Sequence, residues 1–322
     1  MRELKRSIVM HLIKTAKRVG KGTSIEYLPI TSYIYGRVLR YAYPEEELAV
    51  NIDGVRLTVP NKDTAMVSGL VGGFYEPLQL AIFKALCHLS STVIDAGANI
   101  GLYTCVAARS LPANGLIVAF EPIPENLSYL KMNLAQNGQI PDVRIEQTAL
   151  GEQDGVVTIH LDDQIGKHSI SKNNTNGSDG RSLQVSMRSL DSYCRQAAIG
   201  RADLIKIDVE GYDGFVLHGT KNILDQFKPT VFVEFNPRAL RNCGFDPKRL
   251  IETMCASHEE VYIVDEKRCT VHRSPQADLL ALESRNVDAA CYTNLVGASN
   301  REHISAIERF MACTAPKTIT MG

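Results

Sequence analysis

The chain has 322 residues, 44% hydrophobic and 22% charged, and its 35 Lys and Arg balance 36 Asp and Glu to a formal net charge of −1. That make-up fits one large α/β domain, or a domain with a substantial appendage, and gives no global electrostatic reason to expect nucleic acid. The cysteines (Cys87, Cys105, Cys194, Cys243, Cys255, Cys269, Cys291 and Cys313) include no C-x-x-C pair, which argues against a zinc site or a secreted disulfide framework and for reduced thiols in a cytoplasmic protein.

In chain order, the first element is a basic amphipathic helix: Leu4, Ile8, Leu12, Ala16 and Val19 recur at helical spacing among Arg2, Lys5, Arg6, Lys14, Lys17, Arg18 and Lys21. Its apolar run, Ile8 to Ile13, is too short for a signal-peptide core, and no run in the chain approaches the roughly 18 residues of a membrane span. It reads as a packing or dimerisation helix; docking on a membrane surface is the weaker alternative, because few bulky apolar groups would enter lipid. Leu48–Ile52 and Val55–Val59 flank Asp53-Gly54, a hairpin signal. Glu76 to Leu89 reads as a helix with Pro77 in its first turn.

From Thr92 onward, apolar strands alternate with helices. Strands are predicted at Thr92–Asp95, Gly115–Phe120, Val143–Gln147, Leu204–Asp208, Thr230–Phe235 and Val261–Val264, and helices at Ile100–Ser110, Pro124–Asn137 and Gly214–Phe227. Strands apolar throughout imply a parallel sheet covered on both faces, an α/β, Rossmann-like architecture. A polar segment at 162–181, rich in Asn, Gly and Ser, interrupts this rhythm between strand-like runs at Val156–Leu161 and Ser182–Met187. Beyond residue 277 only a helix at Arg301–Ala312 is assigned. The expected organisation is an extension over 1–75, a ligand-binding domain over 76–275 that contains the insertion, and a segment over 276–322 that completes or caps it.

The strongest local signal is Val93-Ile94-Asp95-Ala96-Gly97-Ala98-Asn99-Ile100-Gly101: a strand ending in a carboxylate, a glycine turn, then a helix. The glycine spacing does not match the G-x-G-x-x-G of dinucleotide sites. Asp95 before the turn would repel a pyrophosphate but suits the sulfonium and ammonium of S-adenosylmethionine. A second acidic residue, Glu121, ends the next strand, where a carboxylate accepts hydrogen bonds from ribose hydroxyls.

The segments "VIDAGANIGLYT", "FEPIPENLSYLKMNLAQNG", "TALG", "DLIKIDVEGYDGFVLHG" and "PTVFVEFNP" together resemble the FkbM-type methyltransferases over roughly residues 70–265. Phe74-Tyr75-Glu76 looks like that family's approach to the cofactor. The resemblance implies a seven-stranded class I methyltransferase sheet with helices on both faces, here with an N-terminal helical and hairpin extension. It also implies S-adenosylmethionine as donor and O-methylation of sugars or polyketide-like products. Carried over, Asp95, Gly97 and Asn99 with Glu76 and Gly101 line the methionine end and its turn. Glu121 holds the ribose, Asn126, Thr148 and Ala149 lie near ribose and adenine, and Asp208 borders the cofactor.

For the chemistry, Asp208 or Glu210 is the expected base on the acceptor hydroxyl, with Glu234 on the adjacent strand assisting. His168, in Gly166-Lys167-His168-Ser169, is a further candidate because its ordinary pKa lies near neutrality. A divalent cation on Asp208, Glu210, Glu234 or His168 is a secondary alternative. Lys206 neutralising Asp208, with Glu210 capping the next helix, is the purely structural one. Asn236-Pro237 follows the wrong strand for the Asn-Pro-Pro-aromatic motif of amino-methylating DNA enzymes. The expected activity is therefore O-methyl transfer to a small hydroxylated substrate. RNA or protein methylation, or a non-catalytic methyltransferase-like binding protein, are the competing readings.

Overall fold

The structure is a computed structural model and describes residues 46–61, 66–67, 69–70, 75–138, 141–162, 167–175, 180–266, 268–285 and 293–314. The basic helix expected near the N-terminus and Phe74 lie outside the described residues. No helix among the described residues is long and apolar enough to cross a membrane.

The chain opens with the hairpin β1 (Glu47–Ile52) and β2 (Val55–Pro60), then α1 (Pro77–Cys87), β3 (Thr92–Ala96), α2 (Leu102–Ser110), β4 (Leu116–Phe120), α3 (Pro124–Asn137) and β5 (Asp142–Glu146). The short strands β6 (Ala149–Leu150), β7 (Gly155–His160) and β8 (Ser182–Arg188) follow, then α4 (Leu190–Gln196), β9 (Leu204–Ile207), α5 (Asp213–His218), α6 (Lys221–Phe227) and β10 (Thr230–Phe235). The last described elements are α7 (Pro237–Asn242), α8 (Pro247–Ser257), β11 (Glu260–Asp265), β12 (Thr270–Arg273), α9 (Gln276–Arg285), β13 (Thr293–Ala298) and α10 (Arg301–Thr314).

Asp53 and Gly54 both take positive φ (49° and 86°), as a two-residue type I′ turn requires, so the predicted hairpin forms. Its outer edge is closed by asparagines one turn apart on α3. Asn133 Oδ1 accepts the Thr58 N–H at 2.7 Å, and Asn137 Oδ1 accepts the Arg56 N–H at 2.9 Å. Their amides donate back to the same residues' carbonyls, so two side chains replace a neighbouring strand.

The main sheet has the order β12-β11-β13-β10-β9-β3-β4-β5, eight strands among the described residues. Strands β5, β4, β3, β9 and β10 run parallel, and β13 runs antiparallel between β10 and β11. Alternate residues feed two cores. Ile117 and Phe232 face the layer of α1, α2, α3 and α10, where Phe83, Leu130 and Ile307 are buried. Val118, Phe120, Val233 and Phe235 face the layer of α4, α5, α6 and α8, with Leu217, Leu224 and Met254. Each fully buried aliphatic contributes about 1.5–3 kcal/mol of transfer free energy, which is why strands apolar throughout select this two-faced layering.

Three expectations change. The seven strands become eight because β12 folds back on β11 as a hairpin. The helix expected over Gly214–Phe227 is two helices, α5 and α6, broken at Gly219-Thr220. There the backbone passes so close to Gly151 that a Cβ on Gly219 would lie 2.0 Å from the Gly151 carbonyl oxygen. The insertion is not featureless where described: Ser169 bridges to His160, and Lys172–Asn174 form a single 3₁₀ turn.

Candidate active site

Strand β3 continues into β4 on one side and neighbours β9 on the other, so the sheet's direction of winding reverses there and a cleft opens beyond the strand ends. Its walls include Gly97, Asn99, Glu121, Asn126, Thr148, Ala149, His168, Asp208 and Glu210, and it encloses about 1070 Å³ including its open mouth. Most of the residues singled out in the sequence therefore meet at one place. Glu76, Asp95, Gly101 and Glu234 are not on that wall.

Asp95 lies directly behind the wall, 1% exposed. Its Oδ2 accepts a hydrogen bond from Thr104 at 2.6 Å, and its buried Oδ1 has no partner among the described residues. Burial raises its pKa, opposed by Lys206 and the Thr104 hydroxyl. Asp95 does not cap α2, whose N-cap is Gly101 at φ 92°. A Cβ on Gly101 would meet Leu130 Cδ1 at 2.5 Å, so this glycine is needed for conformation and for helix packing.

Glu121 ties the glycine turn to the end of β4. Its two oxygens accept the N–H groups of Asn99 and Ile123, each at 2.8 Å. Asn126 also hydrogen-bonds to it, while burial pushes its pKa up to about 7. Asn99 itself is left-handed (φ 52°), and its buried Oδ1 has no partner among the described residues. Buried oxygens without a partner among the described residues are uncommon in native proteins, and these two lie at or just behind the cleft wall.

Behind the β9 end, a buried ammonium sits among carboxylates. Lys206 Nζ is 2.9 Å from Asp208 Oδ2 and 4.3 Å from the centre of the Tyr103 ring. Burial alone would lower its pKa, but Asp208, Asp95 and Glu76 outweigh that and hold it above the usual lysine range. Glu76, left-handed at φ 48°, accepts a hydrogen bond from the Tyr103 hydroxyl at 2.7 Å. Burial, with Asp208 adding to it, moves Glu76 up to about 7.

The register of β9 on β10, with Ile207 opposite Val233, brings Asp208 and Glu234 to the same level. Burial first, then Asp208, raises the pKa of both Glu210 and Glu234. Glu210, like Asn99, is a left-handed non-glycine residue on the cleft wall (φ 53°), followed by Gly211 at φ 94°. Asp213 holds that turn by accepting the N–H groups of Val209 and Gly211, each at 3.0 Å. His168 Nδ1 accepts the Asp162 N–H at 3.0 Å, which orients its ring on the cleft wall. Asn236 caps α7 through the Ala239 N–H, a structural task. Among the described residues no group of three or more His, Cys, Asp or Glu is placed to hold a metal ion.

Tyr103, Asp213 and Glu266 were not singled out in the sequence. Asp213 had a local signal, an Asp just after a glycine turn. Tyr103 and Glu266 had none, since their roles depend on distant partners.

A parallel sheet reversing at β3, one antiparallel strand placed between the last two of the series, and a carboxylate-tied glycine turn at the reversal define a class I methyltransferase fold. The model described as the methyltransferase FkbM domain matches residues 95–264, just over half of the chain. The chain belongs to the FkbM methyltransferase family. Methyltransferase 1 of Beauveria bassiana (strain ARSEF 2860) is 28% identical over 146 residues, covering 40% of this chain and 58% of that protein. Methyltransferase sdnD of Sordaria araneosa is 27% identical over 177 residues, 46% of this chain and 68% of that one. The alignment thus spans less than two thirds of the Beauveria protein. Among solved structures, the methyltransferase FkbM from Methylobacillus flagellatus KT overlaps with a TM-score of 0.33 at 16% identity, over 49% of this chain and 38% of its own. The O-methyltransferase TomG from Streptomyces achromogenes overlaps with a TM-score of 0.38 at 13% identity, over 69% and 80%.

Proposed function

We propose that the chain is an S-adenosylmethionine-dependent O-methyltransferase acting on a hydroxyl of a small carbohydrate or secondary-metabolite substrate. The observation that carries this reading is the Asp95–Asn99 turn fastened to Glu121, with unpartnered Asp95 and Asn99 oxygens at the sheet reversal and a second set of carboxylates on the β9–β10 side. The donor would supply an electrophilic methyl group on a sulfonium.

Residues of the β3–β4 wall would bind and orient it. Glu121 accepts from Asn99, Ile123 and Asn126, which leaves one of its roughly four lone-pair sites for a ribose hydroxyl. Asp95 and Asn99 would face the cationic methionine end, and Asn126, Thr148 and Ala149 would border the adenosine. On the opposite wall Asp208 and Glu210, with Glu234 on β10 off the wall itself, would supply proton acceptors. An aliphatic hydroxyl is a weak nucleophile until a base stands within hydrogen-bond reach. Burial and the neighbouring Asp208 raise the pKa of Glu210 and Glu234, and a carboxylate with a raised pKa is, once ionised, a stronger base than an ordinary one. His168 is an additional candidate on the same side.

Calorimetric titration with S-adenosylhomocysteine tests the reading, followed by methyl transfer from labelled donor to a panel of hydroxylated acceptors. Micromolar binding that the Asp95→Ala, Glu121→Ala double variant loses supports it. Absence of binding by well-folded wild-type protein sinks it.

A further inference from the structure

Glu210 is an acidic residue in a backbone conformation that L-residues rarely adopt, and such strain persists only where the surroundings over-determine it. The N–H side of its turn is held by Asp213. The carbonyl side is held by the segment that follows β7. Ser169, 2% exposed, donates its hydroxyl to the Glu210 carbonyl oxygen at 2.8 Å. Asn174 Nδ2 lies 3.2 Å from the same oxygen and 3.1 Å from the Ala239 carbonyl at the start of α7. Asn174 is fixed in turn: its Oδ1 accepts from Asn242 Nδ2 at 2.7 Å, and its amide also reaches Ser169 Oγ at 3.2 Å. Gly211 lets this cluster close, because a Cβ there would lie 2.6 Å from the Ala239 oxygen and 2.7 Å from Asn174 Nδ2.

We infer that Asn174, with Ser169, is a positioning residue: the two side chains clamp the left-handed Glu210–Gly211 turn and so aim the Glu210 carboxylate into the cleft from a loop that is remote in sequence. The inference rests on the reading of Glu210 as an acceptor-side group. It gives the polar insertion a definite task, to lock the carboxylate wall against which the acceptor is placed. Neither residue touches the reacting atoms. The clamp acts on the backbone, which leaves the Glu210 side chain free to face Asp208, Asp213, Glu234, Lys167 and Lys206.

The experiment compares wild type with Asn174→Ala, Ser169→Ala, Ser169→Thr, Glu210→Gly and the Asn174→Ala, Glu210→Gly double variant. Three quantities are read: amide hydrogen exchange over residues 208–213, the carbon-13 titration of Glu210, and S-adenosylhomocysteine affinity. Asn174→Ala is expected to speed exchange of the Val209, Gly211 and Tyr212 amides about tenfold, the equivalent of one lost hydrogen bond. It is also expected to return the Glu210 titration toward that of an ordinary glutamate. Ser169→Thr, which keeps the hydroxyl, is expected to match wild type where Ser169→Ala does not. In the Glu210→Gly background the left-handed turn no longer needs a clamp, and the effect of Asn174→Ala is expected to shrink severalfold.

Wild-type exchange and titration in Asn174→Ala, or an equal effect in the glycine background, overturns the inference. Should Asn174→Ala not fold, Ser169→Ala carries the same test with one hydroxyl removed. Failure of wild type to bind S-adenosylhomocysteine would overturn the functional reading by itself, while the exchange data would still decide whether Asn174 holds the turn.

Discussion

On the β3–β4 wall of the cleft the hydrogen bonds to Glu121 are local: they come from Asn99, Ile123 and Asn126, all within the stretch 95–126. The β9–β10 wall is gathered from afar, with Ser169 and Asn174 from the insertion, Glu210 and Asp213 after β9, and Glu234 on β10. The first wall is a short motif that folds back on itself. The second exists only once three separated segments have packed. The difference teaches that one wall of a cleft can be built from a contiguous stretch of sequence, whereas the other takes shape only when distant segments pack together.

Lys206 is where the two walls meet, since it answers Asp208 on one side and Asp95 and Glu76 on the other. Lys206→Met leaves these carboxylates without their cation and is expected to cost about 3–5 kcal/mol in urea denaturation. The loss should be smaller at pH 5 than at pH 8, because the stranded carboxylates can neutralise themselves by taking up protons. A loss under about 1 kcal/mol at both pH values would mean that the walls are electrically independent, against a typical cost several times larger.

How much was legible follows the same division. Asp95, the glycine turn and Glu121 were readable because strand, turn and carboxylate are adjacent in sequence and each has a local physical signature. The hairpin was readable for the same reason. Strand β13 was not: Thr293–Ala298 is short, carries Asn294 and Gly297, and becomes a strand by insertion between β10 and β11. Gly297 makes sense only beside His258, whose ring would lie 2.6 Å from a Cβ there. Asn174 looked like one more polar residue in a polar run. Its role is set by where the loop lands, which no spacing rule encodes.

The pH dependence of stability separates the walls further. Burial, above all, pushes the pKa of both Glu121 and Glu76 up to about 7 from an ordinary 4.5. The folded chain therefore keeps protons that the unfolded chain has released, and stability is expected to fall as pH rises from about 4.5 to 7. For Glu121 alone the change is at most about 3 kcal/mol. Glu121→Gln removes that titration and should flatten the slope in denaturation curves collected across this range; an unchanged slope would assign it to Glu76 and the β9–β10 carboxylates instead.

Binding gives a smaller but more specific measure. Glu121→Ala leaves the Asn99 and Ile123 N–H groups without their acceptor and removes the expected ribose contacts. A roughly thirty- to hundredfold loss of S-adenosylhomocysteine affinity is expected, about 2–3 kcal/mol. Glu210→Gln should change it by less than about threefold if the second wall serves the acceptor. Equal losses in the two variants would erase the distinction between the walls.

The smallest expected effect probes how self-sufficient the first wall is. Helix α1 begins with Glu76, whose side chain makes no cap bond because it is engaged with Tyr103. Glu266, just past β11, supplies the missing acceptors: its oxygens take the Leu78 and Gln79 N–H groups at 2.9 and 3.1 Å. A distant carboxylate thus caps the helix and leaves Glu76 free to face the cleft's buried network. Glu266→Ala is expected to cost about 1 kcal/mol in thermal or urea unfolding, the ordinary price of a lost cap. S-adenosylhomocysteine affinity should stay within about threefold of wild type, because Asn99, Glu121 and Asn126 do not depend on α1 for their hydrogen bonds. A larger loss would show that the start of α1, and with it Glu76, belongs to the donor wall, which would then be assembled across the whole sheet as the opposite wall is.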